Sequence, residues 1–144
     1  MYRHILIPVT DDTCSQIAAR HAFDLSRLLG SRVTLLHVCN EFEAFQQEHF
    51  WLTELASQAR FQPQIRLVSA TKSIQQTILE VAQSEKVDLI VMGTHGREGI
   101  ERLQLGSVAQ AVAGSSSIPV QIIPLRLQAS RGFVARWKQA LKTP

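Results

Sequence analysis

Five short runs in this chain are apolar at consecutive positions, and amphipathic stretches separate them. The runs lie at 3–9, 32–39, 64–68, 87–92 and 120–123, the third being the least apolar. A strand without a polar face suits the interior of a parallel sheet that helices cover on both sides. The intervening stretches carry helix signals. Thr13 and Gln16 have the spacing of a capping box, apolar residues recur at 17, 18, 22, 25, 28 and 29, and Gly30 provides a stop. Ser73 with Gln76 and Ser107 with Gln110 repeat the capping pattern. Residues 42–61 are helical by composition and unusually aromatic, with Phe42, Phe45, Phe50, Trp51 and Phe61, a set that reads more as core than as lid. This alternation predicts an open, doubly wound, five-stranded parallel α/β sheet of Rossmann-like type with right-handed crossovers. Ligands of such sheets bind outside the carboxyl ends of the strands, which singles out the loops at 10–13, 39–42 and 93–106.

The length of 144 residues suits one domain with a sizeable core. No apolar run approaches the roughly 18–20 residues of a membrane span, and the first residues lack the pattern of a signal peptide. The chain therefore reads as soluble and cytoplasmic. Cys14 and Cys39 are too few for a disulfide framework and lack metal-site spacing, so they read as buried thiols. Cys14 falls in the first turn of a helix, where a thiol pKa can be lowered, which leaves a minor redox reading open. The net charge of +3 is unevenly placed. Residues 1–125 hold ten Lys/Arg against twelve Asp/Glu, a balance of −2, while residues 126–144 hold five basic residues and no acid. The body makes no case for binding nucleic acid.

The densest functional signal is the segment that opens Gly93-Thr-His-Gly96 and closes Gly106-Ser107, a G-x2-G-x9-G-S pattern between a strand and a helix. Glycines let a backbone approach a ligand closely, and Ser107 stands where free N–H groups and the helix dipole favour phosphate. Arg97 and His95 lie inside the loop and are candidates to add positive charge. On loop chemistry alone a second reading stays open, a plain connection in which Ser107 caps the helix. There is no Gly-x4-Gly-Lys-Ser/Thr, so the chain is not a P-loop NTPase, and it has no nucleophile elbow.

The same G-x2-G-x9-G-S segment, after a strand ending Asp-Leu-Ile-Val-Met, resembles the ATP-binding motif of the universal stress protein family. The opening Ile-Leu-Ile-Pro-Val, the Leu-Leu-His-Val of the second run and the closing Ser-Ile-Pro-Val-Gln-Ile-Ile are similar to that family too. The resemblance covers roughly residues 1–125. It implies that Gly93, Gly96, Gly106 and Ser107 hold a triphosphate, with Met92 at the end of the preceding strand and the amide of Val108 close by. It also implies that Val38 flanks the adenine and that Pro8 and Val9 line the base and ribose side. ATP would arrive with Mg2+, and the protein would form a homodimer with the fifth strand at its interface. The nucleotide-binding branch commonly has an acidic residue two places after the proline. Thr10 holds that place here, so the ribose contact is lost or falls to Asp11 after a one-residue adjustment.

Three functions fit these residues. The first is a regulatory nucleotide-binding protein of the stress response. The second is a slow ATP hydrolase on the same fold, with Asp11, Asp12 and His95 as the available bases. The third is an interaction module with a vestigial site. The absence of an obvious catalytic constellation favours the first. Residues 126–144 form a separate basic tail in which Phe133, Trp137 and Leu141 recur every four residues. That spacing predicts a short amphipathic helix that docks on the body, on a protein partner or on an anionic membrane surface.

Overall fold

Strand β1 (His4–Pro8) runs through the middle of a five-stranded sheet. The computed structural model describes residues 2–40, 45–70, 72–94 and 107–125. From β1 the chain passes through α1 (Thr13–Leu29), β2 (Arg32–Cys39), α2 (Phe45–Ala56) and β3 (Gln64–Ser69). It then returns through α3 (Ile74–Ser84) to β4 (Leu89–Thr94), α4 (Ser107–Ser115) and β5 (Val120–Pro124). The strand order is β3-β2-β1-β4-β5 and every pairing is parallel, as the alternating pattern predicts. None of the helices among the described residues is long and apolar enough to cross a membrane.

The strand side chains alternate between two cores. Ile5, Ile7, Leu35 and Val91 face α1 and α2, while Leu6, Leu36, Ile90 and Met92 face α3 and α4. This is why the central runs carry apolar residues on both faces: each face of the sheet has a helical layer to meet. Cys14 and Cys39 are buried, as expected.

The helix ends correct the sequence reading in one place. Ser73 and Gln76 do form the reciprocal capping box of α3, and Gly30 ends α1 in the left-handed conformation at φ 70°. The cap of α1, however, is Asp12 rather than Thr13. Asp12 is extended, its carboxylate accepts the N–H of Ser15 at 2.8 Å, and Thr13 becomes the first helical residue. Aspartate caps better than threonine because its charge also meets the positive end of the helix dipole.

Three boundaries differ from the sequence reading. β4 begins at Leu89, not at residue 87, because Asp88 is drawn aside to accept the N–H groups of Arg3 and His4, each at 2.9 Å. Burial pushes the Asp88 carboxyl up, but those two hydrogen bonds, one from its own backbone and the nearby His4 outweigh it and hold the pKa below the ordinary value. The strand also runs on through Gly93 and Thr94, which pair with Ile123 and Pro124 of β5. Helix α2 ends at Ala56, well short of residue 61. Its aromatics are divided: Trp51 packs against the core, while Phe45 and Phe50 are 50% and 66% exposed. The tail at 126–144 lies outside the described residues.

Candidate functional site

Strands β1 and β4 are neighbours, yet their following helices leave to opposite faces of the sheet. β1 leads into α1 on one side and β4 leads on to α4 on the other. The divergence opens a crevice at their carboxyl ends, the place where doubly wound sheets take ligands. A cavity of about 240 Å3 occupies it. Pro8, Val9, Thr10, Val38, Met92, Gly93, Ser107 and Val108 all line this cavity. These eight residues belong to four different segments, and the topology brings them to one place.

Asp11 is placed differently. It faces a neighbouring recess with Gln16, Trp51 and Glu54, and Asp12 is the acid on the cavity wall. Gly96, Arg97 and Gly106, together with His95, lie outside the described residues. Sequence reasoning passed over Ser15, Ile74, Ile78 and Ala109, which also line the cavity. Ser15 had a legible signal, being the third helical residue after an aspartate cap. Ile74 and Ile78 were legible only as the apolar stripe of α3, since nothing in spacing says that a stripe ends at a crevice.

Local hydrogen bonds fix the turn that follows β1. The N–H of Thr10 donates to Ser15 Oγ at 2.8 Å, and the Thr10 hydroxyl donates to Asp12 Oδ2. Asp12 Oδ1 meanwhile accepts from the Ser15 backbone. Both carboxylate oxygens are therefore engaged in holding the turn. Cys14, also on the wall, is no activated thiol: burial first, then the charge of Asp12, push its pKa up. The dipole of the helix start is outweighed, so the redox reading falls.

Gly93 has a packing role beside the one its loop position suggested. It is a strand residue, and a Cβ built on it would strike the carbonyl oxygen of Cys14 and lie 2.8 Å from the Cys14 carbonyl carbon. The glycine is required because the backbone of β4 and the first turn of α1 touch. On the other wall, α4 begins at Ser107, whose side chain is exposed, and presents its amino end.

The walls suit an uncharged flat group beside a polar one. Pro8, Val9, Val38 and Met92 are apolar, whereas Thr10, Ser15 and Ser107 supply hydroxyls. The volume falls somewhat below the ~300–1,000 Å3 of sites for drug-sized ligands, so the described walls fit part of such a ligand. Among the described residues there is no group of three His, Cys, Asp or Glu placed to hold a metal ion.

Residues 1–124 match the model of the universal stress protein family. Universal stress protein MJ0531 of Methanocaldococcus jannaschii is 29% identical over 142 residues, an alignment covering 85% of this chain and 82% of that protein. Among solved structures, the universal stress protein from Archaeoglobus fulgidus in complex with dAMP superposes with a TM-score of 0.63 at 23% identity, covering 85% of this chain and 98% of that one. A universal stress protein in complex with cAMP reaches a TM-score of 0.71 at 20% identity, covering 86% and 98% of the two chains. The family match spans all five strands and the crevice between them, and the chain belongs to the universal stress protein family.

Proposed function

We propose that this protein binds an adenine nucleotide, ATP with Mg2+, in the crevice between β1 and β4, and that its occupied and empty forms engage different partners in a stress response. The observation that carries this reading is the cavity itself: apolar walls from Val9, Val38 and Met92 meet hydroxyls and the amino end of α4 at the sheet's switch point. The apolar part suits a purine, and the N–H groups at a helix start suit phosphate. The solved relatives that hold dAMP and cAMP support the adenine part of the reading. Gly96 and Gly106 complete the phosphate side by the family motif, Arg97 between them is a candidate to add positive charge, and Mg2+ would travel on the phosphate oxygens.

Binding is favoured over turnover because Asp12, the acid on the described wall, has both oxygens committed to the turn. A rapid hydrolase needs a base able to orient water. The test is mass spectrometry of ligand released on denaturing the purified protein, followed by calorimetric titration with Mg-ATP. Wild type should release an adenine nucleotide and rebind it, and a folded Gly106→Val variant should not. Equal heats from both proteins would sink the assignment.

A homodimer through β5 belongs to the same reading. Among the described residues β5 pairs only with β4, so its other edge is available, and Val120 and Ile122 on it are only half-buried. Apolar edges of this kind invite pairing with a second chain. Light scattering should give twice the monomer mass at micromolar concentration; a monomer mass across the whole range rules the dimer out.

A further inference from the structure

His37 sits on β2 with its side chain only 4% exposed, between the buried apolar residues Leu36 and Val38. A buried imidazole is costly unless its nitrogens are hydrogen-bonded. Here they reach in two directions. Nδ1 lies 2.8 Å from the carbonyl oxygen of Val9, and since a carbonyl can only accept, Nδ1–H is the donor. Nε2 lies 3.1 Å from Glu48 Oε2 on α2. Trp51, one turn further along α2, meets the imidazole edge-on with ring centroids 5.1 Å apart, and its indole N–H donates to the same Glu48 oxygen.

One ring thus joins the turn after β1 to the start of α2. Val9 is a wall of the crevice, and its own N–H is bonded to Leu36 on β2. The carbonyl that His37 holds precedes Thr10, whose N–H is fixed by Ser15. We propose that His37 is a positioning residue: through the Val9 carbonyl it sets the crevice wall, and through Glu48 it ties that wall to α2. Filling the crevice and seating α2 are then coupled. The identity of the ligand rests on the nucleotide reading above; the positioning contact does not. Because coupling is reciprocal, loosening α2 must weaken ligand binding by the factor with which ligand tightens α2.

The test follows amide exchange by NMR and Mg-ATP affinity by calorimetry in Glu48→Leu and Glu48→Gln. Glutamine can still pair with Nε2, its amide having both a donor and an acceptor, and should behave as wild type; leucine can do neither. Without any nucleotide, Glu48→Leu should speed exchange of the Thr10 N–H by about 5-fold or more, in the range of ordinary coupling factors, while Ile90 in the sheet stays protected. With Mg-ATP, its affinity should fall by a similar factor, and the protection that ligand gives to α2 should disappear. If Glu48→Leu does not fold, His37→Asn serves, since its amide can donate to Val9 but cannot reach Glu48. Unchanged Thr10 exchange in the folded variant overturns the proposal. Heatless titrations of wild type overturn the nucleotide reading alone, and the ligand-free exchange still decides the role of His37.

Discussion

Gly93→Ala should lower folding stability by about 3 kcal/mol, the upper part of the range for overpacked cores, and Gly93→Val should prevent folding altogether. The reason lies in what surrounds the missing side chain. An added methyl would overlap the Cys14 carbonyl group and lie 3.4 Å from the Ala18 side chain. Cys14 is in the first turn of α1, which Asp12 caps and whose Ile17, Ala18 and Ala19 are buried in the core. The helix has little freedom to retreat, and the obstacle is backbone, not a flexible side-chain tip. A domain of this size has a total stability of only about 5–15 kcal/mol, so the alanine variant should remain folded with a clearly shifted urea midpoint. The loss must appear in ligand-free protein. An alanine variant within about 0.5 kcal/mol of wild type, the scatter of neutral surface substitutions, would show that α1 can slide and that the contact is soft.

That glycine also marks how far the sequence could be read. Five consecutive-apolar runs and three helix starts were enough for the strand count, the parallel sheet and the edge position of β5, because each rests on local periodicity. Pro8, Val9, Val38, Met92 and Ser107, which the family resemblance put around one ligand, line one cavity, and the switch-point rule gives the reason: strand ends on either side of the reversal are neighbours. What stayed hidden was contact between elements distant in sequence. Gly93 looked like a ligand-facing loop residue, and only the packed backbone of α1 shows its other duty. Asp12 displaced Thr13 as the cap, and Asp11, just before it, lines a different recess. Residue 37 read as one more strand position; nothing local says that a histidine there meets a carboxylate on α2.

Ser107→Asp should separate folding from phosphate binding, since a carboxylate at the start of α4 acts on the two with opposite sign. For the helix it is favourable: a negative charge at the amino end of the dipole stabilises by about 0.3–1 kcal/mol. For a triphosphate in the proposed site it is repulsive. Two unit charges about 4 Å apart near a protein surface interact by about 4 kcal/mol, and the exposure of Ser107 screens this to about half. Affinity for Mg-ATP should therefore fall by about 10- to 100-fold, at about 1.4 kcal/mol for each factor of ten. Ser107→Asn, polar and uncharged, should stay near wild type. Adenosine carries no phosphate, so its weaker binding should be the same in Ser107→Asp as in wild type. Added salt should narrow the ATP gap, because the repulsion acts through solvent-exposed charge. Calorimetry of the three proteins with both ligands gives all of these comparisons. A Ser107→Asp variant that melts at or above the wild-type temperature and binds ATP equally well would mean that the phosphates do not lie at the start of α4. Equal losses for adenosine and ATP would point instead to a distorted cavity, with the charge itself irrelevant.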